Sequence, residues 1–454
     1  MRVIKKRKSH YIKWLYPGLG VKRWLFIALL GLGVAIIGIW NLINNQYTRD
    51  VVIAFVNWLE VVLPSMGFYN SVLCLCGGIV LIVVAIYCLV RQYLKTTLVK
   101  SQSYYEAKTL QQGPKIVVIG GGTGLSVLLR GLKAYSSNIT AVVSVADDGG
   151  SSGRLREQYN VVPVGDIRNC IVALADEEDV MEELFNYRFD HGQELDGHSL
   201  GNLLLVAMSH LKGGFQDAVA DIDQVLHIRG RVVPVAAEAM TLKAELIDGT
   251  EIIGESNIAE AWLPIRQLKI CPAHVEPLPE VLEALDEAEA IILGPGSLYS
   301  SIIPNLLVDG VVAHIKESSA MKFYVCNVMT QPGETAGYTA QEHLRQLMMH
   351  SAPDIVDYMV INDQATIDQV LAAQCAMAGV EPVHYDRKAI EDMGVKVIAA
   401  PLLDQSTILH HDAKKLAHTI MASIYKDKAY RARRGRMKSF WDSKNLQAQW
   451  QQEE

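Results

Sequence analysis

Cysteine is scarce in this chain and never paired. Seven of the 454 residues are cysteine (Cys74, Cys76, Cys88, Cys170, Cys271, Cys326 and Cys375), with no C-x-x-C pair and no cluster beside histidines. That excludes a disulfide framework and a thiolate zinc site. Three of the cysteines lie in an apolar N-terminal head and four in strand- or helix-like apolar runs, as small buried side chains in a reducing compartment do. The thirteen histidines are scattered, and His191, His198 and His210 lack the i, i+4 spacing of an H-E-x-x-H helix, so most read as surface or satisfied structural groups. Ser126, in G-L-S, lacks the G-x-S-x-G frame of a nucleophile elbow. No nucleophile–base pair announces itself.

Positive charge is outnumbered over most of the chain. Residues 1–112 carry 13 Lys/Arg against 3 Asp/Glu, and the remainder carries 29 against 46, so the net charge of −7 joins a head of +10 to a body of −17. An acidic body repels phosphate polyanions except at local patches, which excludes a globally basic nucleic-acid binder. With 50% hydrophobic and 20% charged residues, the chain is neither disordered nor fibrous. Its length alone suggests about three units of ~150 residues.

Charge is absent altogether between Arg23 and Arg49, and Trp24–Ile43 is a 20-residue apolar run with a single amide. A second uncharged run, Ser71–Val90, ends at Arg91. A helix of ~20 residues spans the ~30 Å hydrocarbon core, so both runs are expected to cross a bilayer. Trp24, Trp40 and Tyr87 stand near the ends, as interfacial aromatics do. A cleaved signal peptide fits less well, because the first run lies far from the start and no small-residue cleavage pattern follows it. Basic residues precede the first span and follow the second, while only Arg49 lies between, which places both termini and the main domain in the cytoplasm. Within the outer loop, Val51–Leu63 can lie along the interface.

From Gly113 short β-branched runs alternate with amphipathic stretches of helix length, the pattern of a parallel sheet covered by helices. Strands are predicted at 115–119, 139–145, 241–247, 290–293, 322–328, 357–361 and 396–399, with a hairpin turn at Asp248-Gly249. Helices are predicted after the Gly120–Gly124 turn through about 133 and at 199–209, 216–226, 278–288, 340–350 and 412–423. In open α/β sheets the ligand lies beyond the carboxyl ends of the strands, so the following loops are the place to look. Gly120, Gly121, Gly122, Thr123 and Gly124 offer backbone N–H groups at a helix N-terminus, where a phosphate is favoured; the other reading is a tight structural turn. The G-x-G-x-x-G match is imperfect, with Val127 at the third glycine.

Asp147 and Asp148 end the second strand, where a carboxylate takes ribose hydroxyls or, with Gly149-Gly150-Ser151-Ser152-Gly153, a hydrated cation; an Asx turn is the plain alternative. Arg154 and Arg156 follow, then Asp166-Ile167-Arg168-Asn169, whose guanidinium suits a pyrophosphate or simply pairs with Asp166. Gly294-Pro295-Gly296-Ser297 repeats the strand–turn–helix arrangement, as a second anion cradle or a helix cap. Asn202, at the start of an apolar helix, reads equally as a functional or a capping residue.

Five motifs then occur in one order: G-G-G-T-G-L-S, V-A-D-D-G-G-S-S-G-R-L-R, P-V-G-D-I-R-N-C, G-P-G-S-L-Y-S-S-I-I-P-N-L-L-V-D-G and Y-V-C-N-V-M-T-Q-P-G-E-T. Together, over about 114–422, they closely resemble the YvcK-like (gluconeogenesis factor) branch of the YvcK/CofD family. The resemblance implies a Rossmann-like α/β fold with a smaller inserted subregion, and oligomers. In the CofD branch it implies a 2-phospho-lactate transferase that moves a phospholactyl group from a guanosine diphosphate carrier to a deazaflavin precursor with Mg²⁺. In the YvcK branch it implies a factor that binds a UDP-sugar, notably UDP-N-acetylglucosamine, and serves cell shape and growth on gluconeogenic carbon. Matching motifs carry a ligand-binding role onto Gly120–Gly124, Asp147, Asp148, Asp166, Arg168, Asn169 and Asn202, with no catalytic role implied.

The expected organisation is a two-span membrane anchor (1–112), a nucleotide-binding α/β domain (113–423) and a basic tail (424–454). Head and tail both depart from the cytosolic members. The tail reads as a solvated end or as a stretch lying on the anionic inner leaflet. The expected ligand set adds Ser151, Ser152, Arg154, Gly294, Gly296, Ser297 and Asn327, with Asp148 as the metal-holding residue if Mg²⁺ is used. An NAD-dependent oxidoreductase is the remaining reading, weakened by the broken third glycine.

Overall fold

The computed structural model describes residues 108–427, apart from 177, 191–194, 227, 262, 365–374, 376 and 405–409, together with 50, 53, 54, 57 and 58. The chain divides into two compact units, residues 1–100 and 101–454. The described residues of the first are helical. The expected spans at 24–43 and 71–90, and the tail from 428 on, lie outside the described residues. Among the described residues no single helix is long and apolar enough to cross a membrane.

The second unit is built on a seven-stranded sheet in which every pairing is parallel. Its strands are β1 (Ile116–Gly120), β2 (Ile139–Val143), β3 (Arg231–Pro234), β7 (Ala290–Leu293), β8 (Met321–Val325), β9 (Tyr358–Asn362) and β10 (Lys396–Ala400), in the order β10-β9-β8-β7-β1-β2-β3. The runs I-V-V-I-G, I-T-A-V-V and A-I-I-L are buried throughout, as strands covered on both faces must be. Alternation sorts their side chains: Val117, Ile119, Ile291 and Leu293 enter one core, while Ile116, Val118, Ala290 and Ile292 enter the other.

The second of these cores is closed by α1 (Gly122–Leu132), α2 (Gly150–Tyr159), α3 (Gly165–Leu174), α5 (Leu200–Lys212), α6 (Phe215–Leu226) and α13 (Ala413–Lys426); α4 (Glu178–Asn186) packs outside α3 and α5. The first is closed by α8 (Pro279–Glu287), a π-helical turn Leu298–Ile302 running into α9 (Ile303–Leu306), α10 (Val311–Glu317), α11 (Ala340–Met349) and α12 (Arg387–Glu391). An inserted antiparallel sheet, β5 (Glu251–Ile253), β4 (Thr241–Leu246) and β6 (Ile265–Cys271), adds Leu242, Ala244, Leu268 and Ile270 to that same core. At its hairpin Gly249 has φ +85°, and Asp248 Oδ1 accepts from Thr250 N at 2.9 Å. The short helix α7 (Glu255–Ala259) follows β5, and the pair β11 (Leu403–Asp404) and β12 (His410–His411) precedes α13.

The sheet order reverses between β7 and β1. Chain leaving β1 goes to β2 and β3, and chain leaving β7 goes to β8, β9 and β10, so loops part there and leave a crevice at the strand ends. Several segments depart from the sequence reading. The Asp147–Arg156 stretch, read as a loop, is helical from Gly150, with Leu155 its one fully buried side chain, too weak an apolar pattern to signal a helix. The strands β3 and β6 were not anticipated: β3 is a four-residue edge ending in proline, and β6 pairs through an irregularity at Glu245/Leu246.

Candidate functional site

Two glycine turns meet at the crevice. Gly122, at the first position of α1, has φ +65°, and Gly294 and Gly296 have φ +77° and +153°, values that favour glycine. Close approach demands glycine as well: a Cβ on Gly124 would sit 2.8 Å from the Pro295 carbonyl oxygen, and one on Gly121 would collide with Asp166 Oδ2. The Gly294-Pro295 bond is cis.

The second turn is braced by side chains. Asn327 Nδ2 donates to the Gly296 carbonyl at 2.9 Å while the Gly296 N–H donates to Asn327 Oδ1 at 3.3 Å. Gln331 Nε2 holds Ser297 Oγ at 2.8 Å. Asn305 Nδ2 donates to the carbonyls of Gly120 and Ser301, at 3.2 and 2.7 Å. The buried Glu334 carboxylate accepts the Tyr299 N–H at 3.2 Å, and burial raises its pKa.

A cavity of about 290 Å³ opens between the turns. Gly121, Gly122, Thr123, Gly124, Gly296, Ser297 and Asn327 line it, as expected, but so do Ser301, Val328, Met329, Thr330, Gln331, His410 and His411. The first N–H groups of α1 have no carbonyl partner within the helix. Asp166 takes that of Gly122, and Thr123 and Gly124, the next two residues of that first turn, line the cavity.

Behind the first turn stand carboxylates. Burial, and then the charge of Asp147, raise the Asp166 pKa to about 6. Burial and the surrounding Asp147, Asp166, Glu334 and Asp148 raise that of Glu255, on α7, to about 8. Burial also raises Asp147, whose Oδ1 accepts the Gly149 N–H at 2.9 Å in an Asx turn.

Asp148 is spent elsewhere. Its oxygens accept the Glu255 and Ser256 N–H groups, both at 2.9 Å, and the Ser256 hydroxyl at 2.7 Å, tying the inserted sheet to the end of β2. Both oxygens of the residue expected to hold Mg²⁺ are thus engaged in hydrogen bonds, and among the described residues no three His, Cys, Asp or Glu side chains come together to hold an ion.

Most of the remaining expected residues form a largely buried network that supports the site. Arg168 Nη1 donates to Ser199 Oγ at 2.5 Å and Asn202 Oδ1 at 3.0 Å, and Nη2 donates to Asn169 Oδ1 at 2.8 Å. The guanidinium is thus held by neutral acceptors, with no direct pair to Asp166 among the described residues. Asn202 Nδ2 donates to Ser151 Oγ at 3.0 Å, and Ser151 Oγ lies 2.9 Å from His198 Nδ1. This serine–histidine contact, within Gly149-x-Ser151-x-Gly153, went unread in the sequence, and it lies off the cavity. Ser152 Oγ accepts the Gly165 N–H at 2.9 Å. Arg154 Nη2 donates to the Asp196 carbonyl at 2.8 Å, on the exposed surface.

Residues 116–403 match the model of the CofD family, described as 2-phospho-L-lactate transferase CofD. A putative gluconeogenesis factor of Nostoc sp. is 43% identical over 428 residues, covering 91% of this chain and 93% of its own length. The gluconeogenesis factor of Bacillus subtilis is 45% identical over 311 residues, 68% of this chain and 98% of its own. A crystal structure of a Bacillus halodurans protein superposes with a TM-score of 0.66 at 45% identity, covering 68% of this chain and 99% of that one. With the glycine turns, the seven-stranded parallel sheet and these matches in agreement, the chain belongs to the CofD/YvcK family, on the side of its members named gluconeogenesis factors.

Proposed function

We propose that this protein is a membrane-tethered regulatory factor that binds a nucleotide sugar of the UDP-N-acetylglucosamine type and links its level to cell shape, wall growth and gluconeogenic growth. The observation that carries the reading is the pair of abutting glycine turns at the sheet's reversal point. The free amides of α1 and the Ser297 hydroxyl offer a diphosphate its hydrogen bonds there. The cavity volume is at the lower edge of the ~300–1,000 Å³ usual for small-molecule sites, which suits a mononucleotide better than NAD.

The transferase reading, a phospholactyl group moved from a nucleoside diphosphate carrier, is favoured by the family description and by the raised carboxylates. Among the described residues no three His, Cys, Asp or Glu side chains gather to hold an ion, and no step is assigned to a metal. Calorimetry of the full chain with UDP-N-acetylglucosamine, GDP and NAD, with and without Mg²⁺, separates the readings. Sub-millimolar binding of the UDP-sugar alone supports the regulator, and product formed from a phospholactyl nucleotide would overturn it.

The tether rests on the two uncharged runs in the sequence, with both termini and the α/β domain on the cytoplasmic side and the basic tail on the anionic leaflet. A homo-oligomer is part of the same proposal, and no nucleic-acid partner is. Vesicle flotation of the chain lacking 1–112, with and without 424–454, reads the tail's share; equal binding of the two would discard its membrane role.

A further inference from the structure

The second glycine turn carries a chain of hydrogen bonds whose direction is fixed from its backbone end. The Gly296 N–H donates to one end of the Asn327 amide at 3.3 Å, and the Gly296 carbonyl accepts from the other at 2.9 Å, which settles where Asn327 Oδ1 and Nδ2 lie. Nδ2 also faces the Gln331 amide at 3.4 Å, so the Gln331 atom turned toward it is the acceptor Oε1. The reverse placement would set two NH2 groups against each other. Gln331 Nε2 is therefore the atom 2.8 Å from Ser297 Oγ, and it donates there.

A hydroxyl that accepts from one neighbour still has its own proton to give. Ser297 Oγ makes no other hydrogen bond among the described residues, so that proton has no protein acceptor there. Ser297, Asn327 and Gln331 are each only partly buried, and all three line the cavity. Both ends of the pair are held in place. The Ser297 carbonyl accepts the Ser301 and Ile302 N–H groups, each at 3.0 Å, while Gln331 N donates to Thr335 Oγ1 at 3.0 Å and the Gln331 carbonyl accepts the Thr335 N–H at 2.8 Å. Groups already held this way lose little further freedom when a ligand arrives.

We propose that Gln331 is a positioning residue that commits the Ser297 hydroxyl to donating, and that an ionised phosphate oxygen in the cavity, which can only accept, takes the proton's hydrogen bond. The assignment rests on the nucleotide reading above and deepens it, by giving the phosphate end of the site a donor of fixed direction. A ligand hydroxyl donates or accepts as its neighbours require and gains less from such a donor. Gln331 acts through Ser297 and needs no contact with the ligand itself.

The test is a double-mutant cycle of Gln331→Glu and Ser297→Ala, read by calorimetry of the full chain with UDP and with inorganic pyrophosphate at neutral pH. The new carboxylate keeps the acceptor that Asn327 meets but offers Ser297 an acceptor in place of a donor, which draws the hydroxyl proton away from the ligand. Its added charge weakens anion binding with or without Ser297, and the cycle removes that common part. In wild type, Ser297→Ala is expected to weaken both probes about tenfold, as the loss of a hydrogen bond to a charged group does. In the Gln331→Glu background the same change is expected to cost no more than about twofold, whereas a residue that merely steadied the turn would leave the loss equal in both. Gln331→Met, which offers Ser297 neither donor nor acceptor, should give an intermediate loss of about threefold and keeps the test decisive if Gln331→Glu does not fold. A full tenfold loss on Ser297→Ala in either Gln331 variant overturns the proposal and leaves the phosphate site standing, as does wild-type binding that Ser297→Ala does not change. Should wild type bind neither UDP nor pyrophosphate, the phosphate site falls and the proposal with it.

Discussion

The first glycine turn has two unlike sides. Toward the cavity it faces the second turn, with the Ser297 hydroxyl and the braced Gly296, a lining suited to an anion. Behind it lie Asp147, Asp166 and Glu255, carboxylates that burial and mutual repulsion push toward their protonated forms. The same few residues of backbone separate an anion receptor from an acidic wall. The charge of a bound phosphate is therefore felt by Asp166, whose oxygen lies where a Gly121 side chain would.

The contrast predicts a graded series. Gly124→Val drives a side chain into the Pro295 carbonyl and parts the two turns. Nucleotide affinity should fall at least ~100-fold, roughly 3 kcal/mol, in a calorimetric titration. A change within threefold would remove the turns from the ligand site. Asn327→Ala deletes the reciprocal bonds to Gly296; it should weaken binding about tenfold and stability by ~1–3 kcal/mol in urea unfolding. Asn327→Asp, which keeps only an acceptor, should recover little.

The acidic side is read through pH. Asp166 and Glu255 titrate higher in the folded chain than in the unfolded one, so the native state holds more protons. Their contribution to stability is greatest in acid and is lost as pH rises through about 6 and about 8. Anion binding raises both pKa values further and takes up protons, so affinity should strengthen as pH falls from 8 to 6. Asp166→Asn should flatten the lower part of that profile and raise Tm at pH 8 more than at pH 5. A profile identical to wild type would show that Asp166 does not feel the ligand.

Asp148→Ala is the smallest effect. It frees the start of α7 and should cost ~1 kcal/mol of stability, as lost caps do, with affinity within about threefold. A large loss of affinity at unchanged stability would return Asp148 to the ligand site.

Much of the fold was legible because buried parallel strands are short, continuous β-branched runs. The predicted 290–293 strand is matched residue for residue by β7, and the 340–350 helix by α11 to within one residue. The glycine turns were legible for the same local reason, since both need backbone that favours glycine. Asp148, Arg168 and Asn202 lie near the site, each with protein partners that the sequence did not reveal. Which atom a carboxylate or guanidinium meets depends on segments a hundred residues away, as Asp148 and Glu255 illustrate. His410 and His411 had no signal at all, being carried to the cavity by a two-residue strand, β12, paired with β11.

The most direct measurement is a crystal structure of the chain with UDP-N-acetylglucosamine. The diphosphate should lie within hydrogen-bonding distance, ~3 Å, of the Thr123 and Gly124 amides and the Ser297 hydroxyl, in the cavity between the two turns. A diphosphate found among Asp147, Asp166 and Glu255, or away from the β1–β7 reversal point, would contradict the assignment.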